Sequence, residues 1–174
     1  ENILRGIFSY GYEKPSYIQQ KAIKPFTEGH DIIAQAQSGT GKTATFTVGM
    51  LQNLNVESNT MQAIIISHTR ELALQIQTVI QQISKYMNIK VNLSVGGTQI
   101  RDNIDELNAI PHVIIGTPGR ILDMLNKNFI DRNTIKMLIL DEADELLSRI
   151  FVNQIYDIFR SLPNNIQVGL FSAT

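Results

Sequence analysis

The residues with the clearest chemical meaning form the segment AQSGTGKT, which lies between an apolar run and a helical pattern. A strand, a glycine-rich turn and Lys-Thr at the start of a helix make up the P-loop arrangement, which binds nucleotide phosphates. Gly39 and Gly41 allow a tight turn whose backbone N–H groups can point at the phosphates. The segment therefore predicts these nucleotide-binding residues: Ala36, Gln37, Ser38, Gly39, Thr40, Gly41, Lys42 and Thr43.

Two side chains of this loop have distinct expected roles. Lys42 is a predicted catalytic residue that contacts the β- and γ-phosphates as a point charge, and the Thr43 hydroxyl is a predicted Mg²⁺ ligand. Ala36 stands where the strict pattern usually has its first glycine. The alternative is a glycine-rich turn in front of an ordinary helix, and the other motifs of the chain argue against it.

A second candidate site follows the hydrophobic run MLIL and consists of the acidic residues of DEAD. Asp141, at the tip of a predicted strand, is expected to hold Mg²⁺ through its waters, because Mg²⁺ keeps much of its hydration shell. Glu142 is expected to orient and deprotonate an attacking water, which is the positioning that phosphoryl transfer needs. The alternative is that both carboxylates simply occupy the first turn of a helix, where the helix dipole favours acidic side chains.

Six apolar runs alternate with helical patterns along the chain. The predicted strands are residues 32–36, 63–67, 91–95, 113–116, 137–141 and 168–171. Short strands separated by helices imply right-handed βαβ crossovers and a mainly parallel, twisted sheet with helices on both faces. The prediction is one α/β domain over residues 1–174, with ligands bound beyond the carboxyl ends of the strands.

Three polar loops at predicted strand ends have the character of anion-binding sites. The segments Thr69-Arg70, Gly96-Gly97-Thr98 and Thr117-Pro118-Gly119-Arg120 each precede a helical pattern, which offers free N–H groups at a positive dipole end. Together they could follow successive phosphates of a nucleic-acid strand without a large basic patch. The alternative is three capped helices with solvent-facing arginines, and the net charge of −1 supplies no general argument for nucleic acid.

Near the start of the chain, Tyr12 and Gln19 flank the sequence Lys-Pro-Ser. An aromatic ring can stack on a base, and a glutamine amide offers the donor and the acceptor that the adenine edge requires. By spacing alone, a packed tyrosine and a surface glutamine remain the alternative.

The composition excludes several classes of protein. The chain has no cysteine, so disulfides and thiol chemistry are excluded. No apolar run approaches the ~20 residues that span a bilayer, so no membrane partner is expected. The absence of a targeting signal favours the cytoplasm. Because the first residue is Glu1, the sequence is expected to begin inside a longer chain.

The chain resembles the DEAD-box ATP-dependent RNA helicases, because seven motifs occur in that family's order and spacing: GYEKPSYIQ, AQSGTGKT, HTRELA, GG, TPGR, DEAD and SAT. The segments AQAQSGTGKTATF, IKMLILDEADELLSR and QIYDIF are most similar to the translation-initiation branch of the family, and a splicing-associated paralogue shares most of them. The resemblance implies that residues 1–174 are an N-terminal RecA-like helicase domain. The family's second RecA-like domain, which completes both sites, lies outside this sequence.

The resemblance also implies roles for individual residues. It implies that Tyr12 and Gln19 hold the adenine, and that Ser172 and Thr174 couple hydrolysis to domain movement, with Asp144 as their hydrogen-bond partner. It assigns RNA-backbone contacts to Thr69, Arg70, Gly97, Thr117, Pro118, Gly119 and Arg120. The implied cofactors are ATP and Mg²⁺. The implied partners are single-stranded or duplex RNA, the second RecA-like domain and initiation scaffold proteins.

The activity implied by the resemblance is RNA-stimulated ATP hydrolysis that unwinds mRNA structure during translation initiation in the cytoplasm. The first alternative is an ATP-gated RNA clamp of the splicing-associated type, which would be nuclear. The second is a P-loop ATPase unrelated to nucleic acid. The isolated domain is expected to bind nucleotide weakly and to be poorly active.

Two residues depart from the family pattern. His68 stands where proline is usual before Thr-Arg-Glu-Leu-Ala, a change that is expected to loosen this loop and to alter one RNA contact. Ile150 stands where glycine is usual in a Ser-Arg-Gly-Phe turn. The local geometry after the DEAD segment is therefore expected to differ from that of the family.

Overall fold

Six strands form one all-parallel sheet in the computed structural model, which describes residues 1–174. The strands are β1 Ile32–Gln35, β2 Ala63–Ile66, β3 Val91–Ser94, β4 Val113–Gly116, β5 Met137–Asp141 and β6 Gln167–Ser172. Their order across the sheet is β1-β6-β5-β2-β4-β3. The α/β prediction is confirmed, and each predicted strand is present with ends that differ by at most one residue.

Eight α-helices and a 3₁₀ turn at Arg132–Thr134 connect these strands. The helices are α1 Asn2–Ser9, α2 Tyr17–Thr27, α3 Lys42–Asn53, α4 Arg70–Ile83, α5 Ile100–Asn108, α6 Pro118–Asn126, α7 Ala143–Leu146 and α8 Val152–Ser161. None of them has the length and apolar character that crossing a bilayer requires.

Helix starts follow local capping signals in the sequence. In the capping box of α2, the Ser16 hydroxyl accepts from the N–H of Gln19, and the Gln19 side chain accepts from the N–H of Ser16. The Thr69 hydroxyl accepts from the N–H of Leu72 at the start of α4. Pro118 takes the first position of α6, where its missing N–H costs nothing.

Helices cover both faces of the sheet, and each face has its own apolar core. In β2, Ile65 belongs to one core, while Ile64 and Ile66 belong to the other, as the alternation of side chains along a strand requires. The first core contains the Phe171 ring, whose centroid lies 5.2 Å from that of Phe46. Every residue of β2 is buried, which is typical of a central parallel strand.

The strand order divides the carboxyl edge of the sheet into two halves. Strands β1, β6 and β5 end at the P-loop, the SAT segment and the acidic pair, whereas β2, β4 and β3 end at the three polar loops. The halves meet where β5 pairs with β2, in a register that places Leu140 opposite Ile66. The loops that follow these two strands are therefore neighbours.

Replacing Gly116 with alanine is expected to lower the free energy of unfolding by about 1–3 kcal/mol. A Cβ on Gly116 would lie 2.2 Å from the carbonyl oxygen of Ser94 and 2.6 Å from Cδ1 of Ile121. Because Ser94 pairs with Gly116 across β3 and β4, relief requires the two strands to separate. Urea unfolding of Gly116→Ala, with Gly96→Ala as the control, measures the loss. A Cβ on Gly96 would meet no atom closer than 4.0 Å, so equal midpoints for the two variants would refute the steric argument.

Candidate functional site

A cavity of about 540 Å³ opens at the carboxyl ends of β1 and β5. Its size falls within the range of roughly 300–1,000 Å³ that is usual for small-ligand sites. Three groups of predicted residues line it, namely the N-terminal pair, most of the P-loop and the acidic pair: Tyr12, Gln19, Ser38, Gly39, Thr40, Gly41, Lys42, Thr43, Asp141 and Glu142. The fold thus brings together residues that lie up to 130 positions apart in the chain.

The P-loop has the backbone that an anion site needs. Gly39 and Gly41 have φ values of 79° and 90°, in the left-handed region that glycine adopts without a steric penalty. Gly41 precedes α3, and no side chain caps the first turn of that helix. The N–H groups of this turn are therefore available to a phosphate at the positive end of the helix dipole.

Side chains of the loop also bond to its own backbone. The Lys42 amine donates a hydrogen bond to the carbonyl of Ala36, and the Thr40 hydroxyl donates to the carbonyl of Gln37 at 2.6 Å. Ala36 and Gln37 do not line the cavity, and their carbonyls accept these bonds within the loop. Their contacts with nucleotide stay predictions. The phosphate contact of Lys42 stays a prediction.

Gln19 is buried, with 8% of its surface exposed, and is not the surface glutamine of the alternative reading. Its amide accepts from the Ser16 N–H at 2.9 Å and donates to the Gly41 carbonyl at 3.4 Å. The Ser16 hydroxyl donates to the Thr40 carbonyl at 2.8 Å. Helix α2 is therefore fastened to the P-loop at two points. Sequence reasoning missed Ser16 as a site residue, although the Ser-x-x-Gln capping pattern was a signal for it.

Tyr12 is one of the residues that line this cavity. Its ring centroid lies 5.0 Å from that of Tyr10, and the two planes are inclined by 39°. Burial raises the pKa of the Tyr12 phenol, and Tyr10 acts in the same direction. The ring is thus the uncharged apolar surface that base stacking would use.

The two adjacent carboxylates have different environments. Asp141 ends β5 and is 7% exposed, and burial together with the charge of Glu142 raises the pKa of its carboxyl to about 6. The Glu142 backbone N–H, Lys42 and His68 act in the opposite direction. Glu142 has a left-handed φ of 49°, which is strained for a residue with a side chain and marks the sharp turn from β5 into α7.

The residues present fit a hydrated Mg²⁺ ion. The Thr43 hydroxyl and the Asp141 carboxylate are hard oxygen ligands that line one cavity beside the P-loop. Mg²⁺ is typically bound by one or two such side chains, with phosphate oxygens and waters completing the shell.

The hydrogen bond expected between Thr174 and Asp144 is present. The Thr174 hydroxyl donates to Oδ2 of Asp144 at 2.9 Å, and this bond is the main cause that lowers the pKa of the Asp144 carboxyl. Ser172 completes the arrangement, since its hydroxyl accepts from the Thr174 N–H at 3.2 Å. The end of β6 is thereby tied to α7, while the coupling role of these residues stays a prediction.

The three polar loops lie side by side beyond β2, β4 and β3. The Gly96 N–H donates to the Thr117 hydroxyl at 3.1 Å, which joins the second loop to the third. A Cβ on Gly97 would lie 3.9 Å from Nη1 of Arg70, which brings the first loop to the second. Thr69 caps α4 and Pro118 is the first residue of α6, as their positions in the sequence predict. The three loops that were predicted to bind anions therefore form one continuous surface.

Arg120 does not have the solvent-facing guanidinium of the alternative reading. It donates to the carbonyl of Thr98 at 3.0 Å and to the side-chain oxygen of Asn103. Asn103 is buried and in turn donates to the Leu93 carbonyl at 3.2 Å. The half-buried Arg120 thus supports the second loop through these hydrogen bonds. Its RNA contact and that of Gly119, in the first turn of α6, stay predictions.

The two departures from the family pattern have different surroundings. The Ile150 side chain is 80% exposed, and its φ is not positive, so this turn does not require glycine. The loop that contains His68 keeps the Thr69 cap of α4. The His68 ring lies beside Glu142 and Phe151.

The chain matches known proteins along almost its whole length. A profile described as "DEAD/DEAH box helicase" matches residues 16–174. The chain is 56% identical to the ATP-dependent RNA helicase eIF4A of Debaryomyces hansenii, over 99% of this chain and 44% of that protein. It is 54% identical to eukaryotic initiation factor 4A of Caenorhabditis elegans, over 100% of this chain and 43% of that protein. The chain therefore spans less than half the length of these relatives.

Solved structures agree with the sequence comparisons. A DEAD box protein from the hyperthermophile Methanococcus jannaschii superimposes with a TM-score of 0.92 at 37% identity, over 100% of this chain and 48% of that chain. Saccharomyces cerevisiae Dbp5 bound to RNA and ADP BeF3 gives a TM-score of 0.91 at 37% identity, over 99% and 44% of the two chains. Sequence, fold and site agree: the chain belongs to the DEAD/DEAH box helicase family.

Proposed function

We propose that this chain is the N-terminal, ATP-binding RecA-like domain of an RNA-dependent ATPase that unwinds mRNA structure in translation initiation. The observation that carries the proposal is the shared carboxyl edge of the sheet. The P-loop and the acidic pair line one cavity there, and the three linked polar loops continue along the same edge. One edge thus offers a nucleotide site and a phosphate-backbone surface next to each other.

On the nucleotide side, the P-loop N–H groups and Lys42 bind the phosphates, while Tyr12 and Gln19 border the place of the adenine. Thr43 and Asp141 would hold Mg²⁺, which when bound neutralises charge on the β- and γ-phosphate oxygens. Glu142 orients the attacking water and accepts its proton. The side chains of all these residues line one cavity, which supports their assignment to a single nucleotide site.

On the RNA side, the linked loops contact the sugar–phosphate backbone through the helix starts at Thr69 and Thr117 and through Arg70. Contacts of this kind fix the path of a strand without reading its bases, so the proposed enzyme acts on many sequences. Discrimination against DNA comes from contacts with 2′-hydroxyl groups. A second RecA-like domain completes both sites, and the bond between Thr174 and Asp144 links hydrolysis to its movement.

The relatives support the choice of process. Two of them are named as initiation factor 4A, and identities of 54–56% favour the translation-initiation branch over the RNA-clamp alternative. We therefore infer a cytoplasmic protein that works with initiation scaffold proteins. Dbp5, which shares the fold, has been solved with RNA and ADP BeF3, and this supports RNA and ATP as ligands.

ATP turnover by the full-length protein, with and without single-stranded RNA, tests the proposal. We expect RNA to raise kcat for ATP by about tenfold or more, while single-stranded DNA of the same length does not. Residues 1–174 alone are expected to turn over little ATP under either condition. ATP binding without any stimulation by RNA would remove the helicase proposal and leave an ATPase unrelated to nucleic acid.

A further inference from the structure

His68 lies at the junction of the two halves of the carboxyl edge. It is in the loop between β2 and α4, directly before Thr69 and Arg70. Since β2 pairs with β5, this loop is a neighbour of the turn that carries Glu142. Nδ1 of His68 lies 3.3 Å from Oε2 of Glu142. A side chain of the RNA-side loop thus touches the carboxylate that we assign to the attacking water.

His68 and Glu142 are close to each other but do not form a hydrogen bond. Nδ1 of His68 is shielded from solvent and has no hydrogen-bond partner, although Oε2 of Glu142 lies only 3.3 Å away. A buried polar atom without a partner is unfavourable, and a small rotation of the flexible Glu142 side chain would supply the acceptor. The His68 side chain is 20% exposed and that of Glu142 is 38% exposed, so Glu142 has more freedom to move.

The His68 ring is held in place by its surroundings. Its centroid lies 6.4 Å from that of Phe151, with the planes inclined by 58°. The loop is anchored on both sides, since the Ser67 N–H donates to the Gly116 carbonyl and Thr69 caps α4. A largely enclosed ring on an anchored loop can orient a flexible carboxylate.

We propose that His68 is a positioning residue for ATP hydrolysis, which donates its Nδ1–H to Oε2 of Glu142 when nucleotide and RNA are bound. The inference rests on the proposed function of this site. With Oε2 engaged, Oε1 is left to accept the proton of the attacking water. The family usually has proline at this position. Because proline has no side-chain donor, this hydrogen bond to Glu142 depends on having histidine at position 68. Its action is to hold one rotamer of Glu142 in the reacting geometry.

Three substitutions in the full-length protein test this role. His68→Leu and His68→Asn have similar volume and branching, but only asparagine places an N–H donor where Nδ1 stood. His68→Gln moves the donor to the place of Nε2. We expect His68→Leu and His68→Gln to lower the RNA-stimulated kcat about tenfold, with KM for ATP changed less than twofold, and His68→Asn to retain most of kcat.

These measurements distinguish a failure of the inference about His68 from a failure of the proposed function. Equal rates for the leucine and asparagine variants would show that no N–H donor is needed at Nδ1 and would overturn the inference. A rise in KM in place of a fall in kcat would overturn it as well, because His68 would then act on ATP binding. Wild-type protein without RNA-stimulated turnover would instead reject the proposed function.

A spectroscopic measurement tests the contact independently of turnover. In full-length protein with ¹⁵N-labelled histidine, bound to RNA and a non-hydrolysable ATP analogue, we expect His68 to show a protonated, exchange-protected Nδ1. The His68→Asn spectrum identifies the signal, and Glu142→Ala should remove the protection. An unprotonated Nδ1, or protection that survives Glu142→Ala, would contradict the proposed hydrogen bond.

Discussion

Full-length protein carrying Glu142→Gln is expected to hydrolyse ATP at least about 100-fold more slowly than wild type while still binding ATP and RNA. Glutamine keeps the shape of the side chain and its ability to contact water, but it cannot accept the proton that the attacking water must lose. Since Glu142 lines the cavity without supporting the P-loop backbone, the loss should fall on kcat and not on KM.

RNA-stimulated turnover at saturating ATP, together with fluorescence binding of a labelled ATP analogue, measures the two effects separately. Glu145→Gln is a matched control, because it is the same substitution one helical turn away, on an exposed position of α7. A Glu142→Gln enzyme with near-normal kcat would show that another group positions the water.

The 174-residue chain carrying Asp141→Asn is expected to be more stable than wild type at pH 7, by about 1–3 kcal/mol in the absence of nucleotide. Asp141 is buried, and its pKa is raised from 3.8 to about 6. Ionising this carboxyl therefore costs more free energy in the folded state than in the unfolded state. Between about pH 4 and pH 6 the folded chain binds more protons than the unfolded chain. The contribution of Asp141 to stability is therefore present below pH 4 and is lost as the pH rises through 6.

Asparagine has no such titration, so the difference in unfolding free energy between the variant and wild type should grow from pH 4 to pH 6 and then level off. Urea unfolding at a series of pH values measures this difference. Asp157→Asn, at an exposed position of α8, is the control for a general effect of removing one negative charge. A difference that does not change with pH would contradict the raised pKa of Asp141.

The same substitution should weaken Mg²⁺-dependent nucleotide binding, because a neutral amide replaces a carboxylate near the expected position of the ion. Stability and binding would then change in opposite directions. Such a trade-off is typical of functional groups that are retained in buried positions at a cost to folding.

Much of this molecule was predictable because its signals are local. The strands follow from short apolar runs, and the starts of α2, α4 and α6 follow from residues within three positions of each helix end. Glycine is favoured at Gly39 and Gly41 because the backbone there has a positive φ, a property of the turn itself. The placing of ligands beyond the strand ends follows from parallel topology, so the nucleotide cavity could be expected before its walls were known.

The roles of several polar side chains depended on partners far away in the chain. Gln19 has the capping pattern of a helix start, yet its amide also reaches the Gly41 carbonyl, 22 residues on. Arg120 follows a helix start and resembles a free cation, but Asn103 and Thr98 take up its donors. A one-dimensional pattern shows which groups can form hydrogen bonds, whereas only the packed structure decides which of them find partners inside the protein.

The sequence by itself thus determined the family and the α/β fold and indicated the residues that we propose to bind nucleotide and RNA, since motifs and periodicity depend on neighbours along the chain. The tertiary structure decided how the two sites meet. Only the pairing of β5 with β2 places Glu142 beside His68, across 74 residues of sequence. Strand order depends on the packing of both cores at once, and no local pattern encodes it.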